Sequence, residues 1–183
     1  MTLPPDTALL AEPQGDQPGV AVDDVQRLWA PWRYGYVAGK PRIDGCPFCV
    51  LPARDDDPTS LILHRGEHCF VILNAYPYNP GHLMVVPFEH SDDLGALDEA
   101  TAQEMWSLGR LAVRVLRERL GCQGVNLGMN LWRAGGAGIA DHLHLHAVPR
   151  WGGDTNFVSV VGAVRVLPQA LDEVYAALAP GFS

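Results

Sequence analysis

The chain has 183 residues, of which 48% are hydrophobic and 19% charged, with a formal net charge of -8. That length suits one domain with its own core, and the composition is that of an ordinary soluble globular protein. The negative balance argues against a general nucleic-acid binder, which needs a basic surface to neutralise phosphates, and no apolar run approaches the roughly 20 residues of a membrane-spanning helix.

Residues 1–24 (MTLPPDTALLAEPQGDQPGVAVDD) are rich in Pro, Asp, Gln and Gly and show no sustained period. They read as a disordered or loosely attached tail, with residues 25–183 forming a single domain. No Lys or Arg precedes Arg27, which argues against a secretory signal with its basic start. A cytoplasmic, reducing compartment is expected, where the four cysteines are thiols or metal ligands rather than disulfides. The aromatic-dense run RLWAPWRYGYV (27–37) either packs across the domain surface or borders the ligand site. CPFC (46–49) is a C-x-x-C pair, ambiguous by itself between zinc and redox chemistry. No βαβ pattern surrounds it, which favours zinc. A tetrahedral structural site then needs two more ligands, and spacing leaves His64, His68, His82, His90 and the histidines near residue 144 all open. Cys69 and Cys122 lie in apolar contexts, where a free thiol behaves as a small hydrophobe.

ARDDDPT (53–59) reads as a loop. HCFVILNAY (68–76) is β-rich, ends in the turn-forming PYNPG, and is followed by a second strand, HLMVVPF (82–88). The pair predicts an antiparallel hairpin. Residues 97–120 form the clearest helix: Thr101 followed by Glu104 resembles a capping box, and Gly121 is a natural stop. Met105, Leu108, Ala112, Val115 and Leu116 recur at helical spacing, the mark of a core-facing stripe. GVNLGMNLW (124–132) predicts a third strand, AGGAGIAD a tight connection and HLHLHAVPR (142–150) a fourth, before a closing helix over 168–178. The order β-β-α-β-β gives an α+β domain in which an antiparallel sheet is backed by a long helix.

The most informative stretch is DHLHLHAVPRW (141–151). On a strand, alternate side chains share a face, so His142, His144 and His146 line one side and the leucines the other. Adjacent imidazoles then stand roughly 7 Å apart at a rise of about 3.3 Å per residue. That suits either a metal or a row of imidazoles working on one substrate.

HLHLHAV matches the signature of the histidine triad (HIT) family. NAYPYNPGHLMVVP (74–87) resembles the family's upstream strand pair, and GVNLGMN with the glycine-rich loop resembles the segment leading into the triad. The triad with HAVPRWGGDTNF (146–157) and the opening RLWAPWR resembles the branch containing bacterial diadenosine tetraphosphate phosphorylases. The likeness covers residues 27–175. It implies a nucleotidyl-transferring enzyme in which His144 attacks the α-phosphorus of a dinucleoside polyphosphate, forming a covalent nucleotidyl-histidine. Inorganic phosphate, or water in a hydrolase, then releases the nucleotide. A neutral imidazole suits this role, offering a lone pair at physiological pH, provided its second nitrogen is held by an acceptor, commonly a backbone carbonyl in the family. His146 is expected to contact the phosphate or help protonate the leaving group, with His82 in a supporting hydrogen bond.

The resemblance also picks Cys46, Cys49, His90 and His142 as ligands of a structural zinc, since all four positions would be filled by protein. Asn74 matches a position used for the ribose or nearby nucleoside, and Asn130 a phosphate-contacting asparagine. Gly135, Gly136, Ala137 and Gly138 could present backbone N–H groups to a phosphate, and Trp151 could stack on a base. Many relatives carry Gln or Ser where this chain has Gly138, so side-chain help is lost there. The implied partners are adenine nucleotides or dinucleoside polyphosphates and inorganic phosphate, with no nucleic acid and no membrane, in a homodimer.

Overall fold

The computed structural model describes residues 43–155 and 167–182; the 1–24 and 27–37 segments lie outside the described residues. Five antiparallel strands form one sheet: β1 (Ile62–Arg65), β2 (Cys69–Leu73), β3 (Leu83–Pro87), β4 (Gly124–Gly128) and β5 (Leu145–Arg150), in the order β1-β2-β3-β5-β4. The helices are α1 (Pro47–Val50), α2 (Asp57–Ser60), the long α3 (Glu99–Leu120) and α4 (Leu171–Leu178), the last continued by a 3-10 turn over Ala179–Gly181. The α+β architecture expected from the element order is present. The β2–β3 hairpin pairs Cys69 with Pro87 through to Leu73 with Leu83.

The sheet is buried on both sides at its centre, and strand alternation sorts its residues into two cores. Cys69, Val71, Leu73, Leu83, Val85, Leu145 and Ala147 face α3 and α4, meeting Met105, Leu108, Ala112, Val115 and Leu116. The helical stripe read from the sequence is therefore the core-facing stripe. Phe70, Ile72, Met84 and Val86 point the other way, where Phe48 of α1 and Ile62 complete a smaller core. Every residue of β2 and β3 is buried, which accounts for near-continuous apolar runs where a one-faced strand would alternate.

Four local expectations are corrected. The sheet has a further strand, β1, placed at its end by a short helical turn, α2, that begins inside the expected 53–59 loop. Asp98, not Thr101, caps α3, its carboxylate accepting from the Thr101 N–H at 3.0 Å. Glu104 reaches away instead, accepting backbone N–H groups of Glu67, His68 and Cys69 and so holding the β1–β2 turn. The last strand begins at Leu145, not at residue 142. β3 pairs with it only from Leu83–Ala147 to Val85–Leu145, because Pro87 further along has no N–H to give.

Candidate active site

His144 and His146 project from the face opposite α3. His146 is paired with Met84, a member of the smaller core, while Leu145 and Ala147 turn toward the helix. The alternation of histidine and leucine thus works as read, with an imidazole row on one side. The rings stand closer than a straight strand gives: His144 and His146 have centroids 4.8 Å apart in an edge-on arrangement.

His144 is buried, 5% exposed, with Phe48 against its ring at a centroid distance of 5.2 Å. Its Nδ1 lies 2.8 Å from the carbonyl of His142. A carbonyl only accepts, so Nδ1 carries the proton and Nε2 keeps its lone pair. Burial lowers the His144 pKa, only partly offset by that hydrogen bond, so the ring is neutral at physiological pH. These are the two properties a nitrogen nucleophile requires: neutrality and a fixed tautomer.

The second imidazole is fixed by a chain of bonds. Nδ1 of fully buried His82 accepts the backbone N–H of Tyr78 at 3.1 Å, so the His82 proton sits on Nε2. That nitrogen lies 2.9 Å from Nδ1 of His146 and donates to it. His146 must then carry its own proton on Nε2, an atom that is buried without a hydrogen-bond partner among the described residues. A buried donor without an acceptor costs about 1–3 kcal/mol, which an oxyanion placed there would recover. Burial, with a smaller contribution from His144, lowers the His146 pKa to about 4. It is therefore a neutral hydrogen-bond donor at pH 7 unless a nearby phosphate raises its pKa.

His142 does something else. Its Nε2–H donates to the Pro87 carbonyl at 2.9 Å, which turns Nδ1 toward Cys46 Sγ at 3.4 Å and Cys49 Sγ at 3.6 Å. Cys49 Sγ is also 3.2 Å from Nδ1 of His90. The four ligand atoms of Cys46, Cys49, His90 and His142 all lie within 4.8 Å of one another. Two thiols and two imidazoles, one with its second nitrogen already held by a backbone carbonyl, are the donor set and outer-shell arrangement of a tetrahedral metal site. Burial and the adjoining Cys46 thiol push the Cys49 thiol above its ordinary range; a divalent cation would reverse this by stabilising the thiolates. Cys69 and Cys122 are buried in the helix-side core, apart from this cluster.

The remaining expected residues scatter. Asn74 starts its turn, accepting the Tyr76 N–H at 2.9 Å, and its amide lies 3.3 Å from His82 Nδ1. Asn130 and His146 line one cavity of about 530 Å³ together with Tyr78, Asn126 and Arg150. In the glycine-rich loop the N–H groups of Gly136 and Ala137 bond to the carbonyls of Arg133 and Trp132. Ala137 and Gly138 border a different cavity, of about 440 Å³, beside Cys46 and His90; Gly135 packs tightly against the Leu131 backbone. Trp151 packs against the helix-side core, away from the imidazole row.

Three contributors escaped the sequence reading. Phe48, in the middle of CPFC, packs on both His142 and His144. Tyr78, read only as part of a turn, stacks 4.7 Å from His82 and fixes its tautomer. Asp154 grips Arg150 through Nε at 2.6 Å and Nη2 at 2.8 Å and also takes the amide of buried Asn79. The four-residue spacing of Arg150 and Asp154 was the available signal for this last group.

A family model described as the HIT domain matches residues 56–153. The AP-4-A phosphorylase of Mycobacterium tuberculosis is 39% identical over 165 residues, covering 86% of this chain and 84% of that protein. Among solved structures, a Zn-bound histidine triad family protein from Mycobacterium smegmatis is similar with a TM-score of 0.61 and 28% identity, over 75% of this chain and 93% of that one. A hypothetical histidine triad nucleotide-binding protein from Sulfolobus tokodaii strain7 aligns with a TM-score of 0.60 at 23% identity, over 75% and 91% of the two chains, a likeness of fold.

Proposed function

The chain belongs to the HIT-domain family, and on that premise we propose that it is a nucleotidyl-transferring enzyme that cleaves dinucleoside polyphosphates, diadenosine tetraphosphate foremost, by phosphorolysis. The observation that carries this reading is His144: buried, neutral, protonated on Nδ1 by its bond to the His142 carbonyl, and therefore presenting an Nε2 lone pair. Nε2 attacks the α-phosphorus, an N–P bond forms, and the P–O bond to the departing nucleoside polyphosphate breaks. The Nε2–H of His146 donates to an oxygen of the reacting phosphate or of the leaving group. An oxygen of inorganic phosphate then attacks the same phosphorus, breaks the N–P bond and leaves with the nucleotide as a diphosphate.

Cys46, Cys49, His90 and His142 would hold a structural zinc, supported by their donor set and by the Zn-bound relative. When bound it supplies a cross-link between the α1 segment, the segment after β3 and the strand carrying the nucleophile. Asn130 lies in the cavity beside His146, which supports a phosphate contact. Asn74 supports the site through His82 as well as through any ribose contact. A base stacked on Trp151 has less support, because that indole faces the other core. A homodimer belongs to the same reading, with β4 at one end of the sheet. No helix among the described residues is long and apolar enough to cross a membrane.

Incubation with diadenosine tetraphosphate, with and without inorganic phosphate, tests the acceptor. ADP plus ATP formed only when phosphate is present is the expected result. AMP plus ATP in its absence would replace the phosphorylase reading by a hydrolase.

A further inference from the structure

We infer that the Cys46, Cys49, His90 and His142 cluster is an orienting clamp for the nucleophile, holding the one peptide unit whose carbonyl fixes the tautomer of His144. The inference rests on the functional reading only in calling His144 the nucleophile. The His142–Leu143 peptide supplies the carbonyl that accepts from His144 Nδ1–H at 2.8 Å. Its N–H donates to the carbonyl of Ser91 at 2.7 Å. Ser91 directly follows His90, and the residue that owns the carbonyl is His142. Both ends of this peptide are therefore anchored one residue or less from a cluster ligand.

No strand ladder stabilises it. The β3–β5 pairing stops at Leu145, and β5 itself begins there. The peptide that decides the chemistry of His144 is irregular backbone held by two side contacts, the Ser91 carbonyl and the His142 ring. The ring is in turn held on one side by the Pro87 carbonyl at 2.9 Å and on the other by the thiols. The segment carrying His90 and Ser91 meets the described cluster through Cys49, whose Sγ is 3.2 Å from His90 Nδ1. Drawing four ligands onto one ion locks the Ser91 carbonyl and the His142 carbonyl relative to each other. Releasing them leaves a peptide free to rotate, and a neutral imidazole without a fixed acceptor populates both tautomers. In the Nε2–H form His144 has no lone pair to direct at phosphorus. His90, His142 and the Ser91 backbone are thus positioning groups that act through His144 and need never touch substrate.

The test uses the full-length chain labelled with 15N-histidine, loaded with zinc. Two-bond nitrogen–proton correlations report the His144 tautomer directly, and elemental analysis reports zinc per chain. His90→Ala is the principal variant because His90 is exposed and lies outside the imidazole row; His90→Cys restores a fourth ligand. The expected pattern is a single Nδ1–H form of His144 in the zinc-loaded parent and a mixture of both forms in folded His90→Ala. Loss of an outer-shell support of this kind costs about 10- to 100-fold in activity, so kcat should fall by that factor with KM little changed, and His90→Cys should recover both readouts.

A folded, zinc-free His90→Ala that keeps the parent tautomer overturns the inference, as does a parent that binds no zinc. Should His90→Ala fail to fold, the parent is titrated with a chelator under the same correlation experiment. Tautomer loss before unfolding then supports the clamp, and unfolding in step with metal loss overturns it by making the metal a general staple. The ring spectrum needs no substrate, so failure of the proposed activity would show separately, as an inactive parent with an intact clamp.

Discussion

Replacing His82 by phenylalanine isolates the bond chain behind His146. The side chain is fully buried, so a ring of similar size keeps the packing while removing both nitrogens. Three contacts disappear: the 2.9 Å bond to His146 Nδ1, the 3.1 Å bond from the Tyr78 N–H and the 3.3 Å contact with the Asn74 amide. The Tyr78 donor and the His146 acceptor are left facing a hydrocarbon edge. Each buried polar group so orphaned costs about 1–3 kcal/mol, giving a stability loss of roughly 2–5 kcal/mol. The effect on turnover follows from the tautomer. With no donor at Nδ1, His146 can move its proton there and turn a lone pair toward the oxyanion where it had offered N–H. Removal of one preorganised donor from a developing oxyanion costs about 100- to 1000-fold in kcat. We therefore expect kcat to drop by about 100-fold with KM changed only a few-fold. His82→Gln, which can still place an N–H near the former Nε2, should recover part of it. Steady-state kinetics on diadenosine tetraphosphate with urea unfolding of each variant gives both numbers. A folded His82→Phe protein retaining kcat within about threefold of the parent would refute the reasoning that the chain from Tyr78 to His146 sets the donor, whose loss is worth about 100-fold.

Acid should destabilise the fold through His146. Its native pKa of about 4 lies below the unfolded value of about 6.5, so the contribution is fully present above pH 6.5 and is lost as pH falls through that window toward 4. Urea midpoints at pH 7.5, 6 and 5 should fall more steeply for the parent than for His146→Gln, by on the order of 2–3 kcal/mol; equal slopes would remove this role. Phe48→Ala should cost about 3–5 kcal/mol as a buried aromatic truncation and lower kcat as well, since the ring packs on His142 and His144; calorimetry showing an unchanged Tm would contradict the smaller core. Gly109→Ala sets the roughly 1 kcal/mol helix gain of alanine against a new Cβ only 3.0 Å from Leu145 Cδ2. Overpacking of this kind costs about 1–3 kcal/mol, so Tm should fall slightly, and a rise would show that Leu145 yields freely.

The sheet and long helix were legible because their periods are strong: five apolar positions at helical spacing on α3 all reach the core, and the β2–β3 hairpin stands where the NAYPYNPG turn signal put it. β1 was missed for a physical reason. ILHR is short, buried only in its first half, and joined to the sheet through a register irregularity between Ile62 and His64, so it has no clear alternation. Thr101 and Glu104 had capping-box spacing, but the carboxylate found three backbone donors in another turn, a tertiary preference that local sequence cannot reveal. Within the site, HLHLHAV alone implied the imidazole row, whereas the separation of His142 from its neighbours required the fold. Pro87 ends the ladder, takes the His142 Nε2–H on its carbonyl and turns that ring toward the thiols. The bonds through Tyr78 and Ser91 are made by backbone atoms, which leave no signature in side-chain pattern.

The most direct measurement is rapid-quench trapping of the chain with diadenosine tetraphosphate in the absence of phosphate, followed by mass analysis under alkaline conditions that spare a phosphoramidate. The account requires an adenylyl group on His144, formed and discharged at rates compatible with turnover and absent from His144→Ala. Full turnover by that variant, or a parent that turns over substrate while this imidazole stays unmodified throughout, would contradict it.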